Sequence, residues 1–262
     1  IMPEEKPLSR KRVLFLHPNF PGQFKHLASS AAKAGHDSRF LCQTHYGRKL
    51  PGVQRMTLKG QYSDEHLNQL GGNVLQRSAA LADQYRHGLV NLRDSGWIPD
   101  VVISHSGWGC GLHTREIWPE CHHVAYLEWW FDPQSEFFNY DPENKELNLS
   151  KQQASSLWLR NQALSLELIS ADAIVAPTSW QANQLPKLLR ERCFIIHDGV
   201  DLERFRPPDK YSPKAEKVLT YGTRGMEPMR GFPQFIRSLP ALLQEDSNVR
   251  IEIAGEDQAN YG

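Results

Sequence analysis

Two arginines flank one glutamate in the stretch "TYGTRGMEPMRGF", Thr220 to Phe232, where a short apolar run turns through glycines and a proline. Arg224 and Arg230 then stand where a strand gives way to a helix, beside a helix N-terminus whose free N–H groups already favour an anion. The ligand that suits this arrangement is a phosphate. The alternative is a solvated turn in which Arg224 or Arg230 pairs with Glu227, since surface ion pairs are common and weak. A second constellation lies upstream, where His17, His105 and Glu128 each fall at the C-terminal end of a predicted parallel strand. Ligands of open α/β sheets bind in the crevice outside those ends. Taken singly, each also suits a hydrogen-bonded residue of core or rim. Glu128 sits in "YLEWWF", and a carboxylate among aromatics is expected to have a raised pKa and to serve as an acid, a base or a hydroxyl acceptor. Trp129 and Trp130 beside it either face a ligand or simply pack.

Other motifs carry less. The loop after the first strand, "HPNFPGQF", has one glycine where a nicotinamide-binding fingerprint needs three, and no Walker lysine motif occurs. "GWGCG", Gly107 to Gly111, follows a strand and precedes a helix, so it is either a phosphate cradle or a tight turn with no ligand. Cys110, His113, Cys121, His122 and His123 are ligand types that zinc accepts. Their spacing is only loosely right, and a strand would send His122 and His123 to opposite faces. The expectation is no metal.

These residues need a scaffold. "RVLFLH" is a continuous apolar run of the kind found in strands buried on both faces. "KHLASSAAKAGH" reads as a helix ended by Gly35, "SRFLCQ" as a strand, and the stretch from about Asn73 to about Arg93 as a long helix. Between the last two lies a loop rich in Gly and Pro. "PDVVISH", "HHVAYLEWWF", "ADAIVAP" and "CFIIHD" add strands, with a short helix stopped by Pro119, a helix over "KQQASSLWLRNQALSLELIS" and one over "TSWQANQLPKLL" capped by Thr178. Asp132 to Ser150 is acidic and without period, hence a long loop. Six strands alternating with helices predict a doubly wound parallel sheet. After the Pro-rich "HDGVDLERFRPP" the rhythm restarts with strand "KVLTYG", helix "GFPQFIRSLPALLQ" and strand "VRIEIAG". Two domains follow, 1–205 and 206–262, the second too short to bury a core alone.

Composition sets outer bounds. The 262 residues hold 30 basic and 30 acidic side chains, so no net field draws the chain to nucleic acid or an anionic membrane. Four cysteines, Cys42, Cys110, Cys121 and Cys193, have no paired spacing and suit a reducing cytoplasm. No apolar run is long enough to span a bilayer. Contact with a membrane surface, for instance at the inner face through Trp129, Trp130 and the loop after them, is compatible with the composition.

The stretches "VLFLHPNFPGQFKHLA", "VVISHSGWGCGLHTREIWP", "YLEWWF", "LRNQALSLELISADAIVAPTSWQANQLP", "IIHDGVDLERFRP" and "YGTRGMEPMRGFPQFIRSLP" together resemble the bacterial branch of the family-four retaining glycosyltransferases. The resemblance spans nearly the whole chain. It implies a GT-B fold: a Rossmann-like, acceptor-binding N-terminal domain, then a Rossmann-like domain for the nucleotide-sugar, of which only the start is present. "HDGVDLERFRP" would link them. By this resemblance Arg224 and Arg230 hold the donor diphosphate, Gly22 and Gln23 approach the sugar and phosphates, and His105 and Glu128 line the acceptor side. His17, Trp129 and Glu227 are further candidates for sugar or acceptor contacts. The implied partners are an NDP-sugar donor and a glycan, lipid or small-molecule acceptor, with no cofactor and no metal needed for catalysis. Cys110 departs from the pattern, standing where an acidic or small residue is expected. The family's downstream pair of glutamates would fall beyond Gly262. Accordingly, two alternatives to a hexosyltransferase stand beside it: a binding module or partner subunit without catalysis, and an epimerase of the same architecture.

Overall fold

The computed structural model describes residues 9–58, 74–138, 141, 143, 149–207 and 217–257. The start of the long helix at Asn73, residues 139, 140, 142 and 144–148 of the acidic loop and the polar stretch 208–216 lie outside the described residues. By compactness the chain divides into two units, Ile1–Pro133 with Lys151–Gly199, and Gln134–Ser150 with Val200–Gly262.

The first unit is built on seven parallel strands: β1 (Arg12–Leu16), β2 (Asp37–Cys42), β3 (Val53–Thr57), β4 (Val101–His105), β5 (His122–Tyr126), β6 (Ala173–Ala176) and β7 (Cys193–Ile195). Their order is β3-β2-β1-β4-β5-β6-β7. The chain therefore winds outward in both directions from β1, and the order reverses between β1 and β4. That gap is where an open α/β sheet leaves a crevice at the carboxyl ends of its strands. β1 occupies the centre because Leu14, Phe15 and Leu16 are apolar on both faces, and all three are fully buried.

The crossovers are helices α1 (Lys25–Lys33), α2 (Val74–Asp94), α3 (Thr114–Ile117), α4 (Lys151–Ser170), α5 (Ser179–Gln184) and α6 (Lys187–Arg190). Thr178 caps α5 by accepting from the Gln181 N–H. One helix was expected over "TSWQANQLPKLL". Two short ones form instead, because Pro186 cannot continue the hydrogen-bond ladder and its predecessor Leu185 is extended.

The expected count of six strands needs correction. β3, "VQRMT", lies where a loop was expected, since Gln54 and Arg55 break any apolar run. It pairs only with β2 at the sheet edge, where a strand needs just one apolar face and charge protects its free side.

The second unit contains β8 (Lys217–Gly225), α7 (Phe232–Glu245) and β9 (Val249–Glu256), with β8 and β9 parallel, a single βαβ crossover. The sequence reading divides the domains near Arg206, whereas the compact units divide after Gly199 and include Gln134–Ser150 in the second. The reason is chemical: Asp141, nearly buried, accepts hydrogen bonds from Gln234 and Arg237 of α7. No helix among the described residues is long and apolar enough to cross a membrane.

Candidate functional site

At the carboxyl ends of β1, β4 and β5 the first unit gathers four polar side chains. His17 follows β1, His105 ends β4, Glu128 lies two residues past β5, and Gln23 comes from the single-turn helix Gly22–Phe24 that leads into α1. The two imidazoles meet edge to face with centroids 4.9 Å apart. Their tautomers follow from the bonds they make. The Asn19 N–H donates to Nδ1 of His17 (2.9 Å), so Nε2 carries the proton and donates to Oε1 of Gln23 (2.6 Å). Gln23 passes the polarity on, its amide donating to Oε2 of Glu128 (3.1 Å). His105 arrives at the same oxygen from the other side: its Nδ1 accepts from the Gly107 N–H (3.4 Å), and its Nε2 donates to Glu128 (3.1 Å).

Glu128 thus receives two hydrogen bonds on one oxygen. Here the expectation of a raised pKa is corrected. The His105 hydrogen bond, aided by that of Gln23, outweighs desolvation and holds the carboxyl below its ordinary value. The side chain is about half exposed, and the two tryptophans of "YLEWWF" pack elsewhere. Trp130 is buried in the apolar core, and Trp129 packs its ring 5.2 Å from that of Trp180. Glu128 is therefore an ionised acceptor with one oxygen already committed. The pKa of His17 is lowered too, but by burial first and the His105 charge second, to about 4. It is a neutral relay, fixing Gln23. Gly22 has no substitute there, since it lies in the left-handed region (φ 49°) and an added Cβ would stand 2.5 Å from the His17 ring.

A second polar cluster, which sequence reading passed over, lies beneath the glycine turn. Glu167 of α4 is fully buried and accepts from Ser104 Oγ (2.5 Å), whose oxygen is 2.8 Å from Nε2 of the buried His123. The signal was present: an acidic residue on the helix face that also carries Leu164, Leu168 and Ala171. Gly111 leaves room for the cluster, because a Cβ there would meet Ser104 Oγ at 2.3 Å and Glu167 Oε1 at 2.4 Å.

The residues considered for zinc do not converge. Cys110 is buried, its thiol pushed well up by desolvation and by Glu167. His113 bonds Glu116 (2.6 Å), His122 lies exposed near Asp172, and His123 points inward to Ser104. Among the described residues no three potential ligands form a metal-holding group.

In the second unit, β8 delivers Arg224, and a tight turn over Pro228–Arg230 delivers Arg230 just before α7. Gly231 makes the corner between them in the left-handed conformation (φ 74°). Arg224 and Arg230 line an open cavity of about 400 Å³ together with Tyr221, Gly222 and Thr223. Glu227 is nearly buried and stands 3.4 Å from Nε of Arg230, so the ion pair expected of "EPMR" forms beside the cavity. The pair leaves the ends of the Arg230 guanidinium for other partners. Tyr221, which motif reading did not single out, holds the turn. Its hydroxyl donates to the Arg230 carbonyl (2.7 Å) and its ring stacks on Phe235 (4.6 Å).

Comparison with solved structures bears on the fold alone, since the identities are low. The catalytic domain of starch synthase IV from Arabidopsis thaliana, solved with ADP and acarbose, aligns over 96% of this chain and 69% of its own, with TM-score 0.63 and 12% identity. The N-terminal domain of Candida albicans trehalose-6-phosphate phosphatase aligns over 95% of this chain and 65% of its own, with TM-score 0.62 and 13% identity. WaaG, a glycosyltransferase involved in lipopolysaccharide biosynthesis, gives TM-score 0.50 at 15% identity over 93% of this chain and 70% of its own. The mixed α/β architecture with Rossmann-like sheets is the GT-B fold of such glycosyltransferases. No curated protein matches the sequence. The profile of the glycosyl transferase family 4 group matches residues 34–205, from just after α1 to beyond the last strand of the sheet, and the chain belongs to that family.

Proposed function

We propose that this chain is part of a retaining glycosyltransferase that moves a hexose from an NDP-sugar to a hydroxyl of a glycan, lipid or small-molecule acceptor. The observation that carries the reading is the pocket at the β8–α7 turn, where Arg224 and Arg230 stand together over a cavity of about 400 Å³. Two guanidiniums beside a helix N-terminus suit a diphosphate, which takes planar, multidentate donors better than point charges.

In this mechanism the anomeric C–O bond to the diphosphate breaks while the acceptor oxygen bonds to the same carbon on the same face. The acceptor proton passes to the departing diphosphate oxygen. The arginines offset the charge that develops there, the part that a divalent cation would otherwise take. Glu227, tied to Arg230, orients that guanidinium. On the acceptor side, ionised Glu128 offers its uncommitted oxygen to a hydroxyl, and His105 and Gln23 keep it aimed. No residue acts as a covalent nucleophile.

The test is turnover by protein carrying Arg224→Ala and Arg230→Ala against a panel of UDP-, ADP- and GDP-hexoses, following nucleotide release. A loss of at least about 100-fold is expected, as for removal of an oxyanion donor. Wild-type turnover in the double variant would sink the mechanism. Interconversion of free NDP-sugars without an acceptor would instead point to an epimerase.

A further inference from the structure

Glu167 belongs to no ligand-facing surface, and yet it occupies a place where an apolar residue would cost far less. A buried carboxylate is costly unless its lone pairs are used, and here Oε1 alone takes the hydrogen bonds while Oε2 lies buried without one. Its two donors lie at instructive positions. One is the hydroxyl of Ser104, the residue just before His105, at 2.5 Å; the other is the backbone N–H of Gly111, the last glycine of "GWGCG". One carboxylate therefore grips both ends of the segment that runs from His105 to Cys110. Within that segment the Gly107 N–H donates to Nδ1 of His105, the bond that sends the Nε2 proton toward Glu128. Gly111 lies so close to the grip that any side chain there would displace Ser104 or Glu167. From β5, His123 Nε2 faces Ser104 Oγ at 2.8 Å and keeps the hydroxyl in place.

We propose that Glu167 is a positioning residue of the glycosyltransferase: by joining Ser104 and Gly111 it sets the loop that fixes the tautomer and aim of His105. Its weight in catalysis rests on the acceptor-side reading of His105 given above. The geometric claim does not. A protonated or amide form of the side chain keeps the grip, because its carbonyl oxygen still accepts from Ser104 Oγ and from Gly111. Glutamine is thus a rescuing substitution and alanine a disabling one.

The measurement is ¹⁵N NMR of the imidazole nitrogens of the intact chain at pH 8, with no sugar or nucleotide present. In wild type, His105 should show one protonated and one unprotonated ring nitrogen as two well-separated signals. Glu167→Gln should keep that separation. Glu167→Ala should lose the separation as the His105 tautomers average. A folded Glu167→Ala protein that retains the wild-type His105 signals overturns the proposal. Where that variant does not fold, Ser104→Ala, which frees one end of the loop, takes its place: averaged His105 signals support the grip and unchanged ones overturn it. Because no transfer reaction is read, this outcome is independent of whether Arg224 and Arg230 serve a diphosphate.

Discussion

At the scale of single residues, Glu128 carries a general point: a side chain's neighbours in sequence say little about its protonation. Tyr126, Leu127, Trp129 and Trp130 suggest a dry pocket, but the partners that set its charge are Gln23 and His105, brought from two other elements. Electrostatic contact at 3.1 Å outweighs partial desolvation of a half-exposed group. Gly22, like Gly111, leaves no room for a side chain. Gly22→Ala places a methyl within the His17 ring and forces a left-handed backbone on alanine. We expect a loss of about 2 kcal/mol in urea denaturation, from strain and overpacking together. His17 should also lose its hydrogen bond to Gln23, read as a shift of the His17 ring signals. Unchanged stability and unchanged signals would mean that the loop does not press on the ring.

At the scale of elements, the β8–α7 turn is held less by its charges than by a ring. Tyr221 reaches across from the strand, stacks on Phe235 of the helix and bonds the Arg230 carbonyl. The stacking fixes the turn against the helix, and the hydroxyl fixes the arginine's backbone. Tyr221→Phe keeps the first and removes the second. We expect little change in folding and a weakening of UDP, ADP or GDP binding by roughly fivefold, the worth of about 1 kcal/mol from one hydrogen bond. Isothermal titration calorimetry against the nucleotides checks it. Equal affinities would show that Arg230 holds its position without Tyr221.

At the scale of the whole molecule, the buried ionisable groups of the first unit set how stability follows pH. His17 and His123 are each lowered by burial from 6.5 to about 4. A histidine with a depressed folded pKa contributes stability that is present above 6.5 and lost as the pH falls toward 4. Each loss is on the order of 3 kcal/mol. Glu167 is raised by burial from 4.5 to about 7. Its contribution is present below 4.5 and lost as the pH rises through 7. Between 4.5 and 6.5 two histidines therefore oppose one glutamate, and the histidines win. Urea midpoints should be lower at pH 5.0 than at pH 7.5, and Glu167→Gln should raise the midpoint more at pH 7.5 than at pH 5.0. A wild-type midpoint that is higher at pH 5.0 would contradict this balance.

The sequence by itself determined the order of nearly every strand and helix, because apolar runs such as "RVLFLH" and "VVISH" and the breaks at Gly35, Pro119 and Gly231 act locally. It also placed His17, His105 and Glu128 at strand ends, since period and length suffice to find where a strand stops. β3 was hidden by being an edge strand, with a polar face and no apolar run. Only the tertiary structure decided that His17, Gln23, Glu128 and His105 form one hydrogen-bonded chain, that Trp129 packs against Trp180, and that Glu167 sits below Ser104 and Gly111. Those partners are separated by up to 105 residues. Strand order brings them together, and strand order depends on the burial of the whole sheet rather than on any local pattern of side chains.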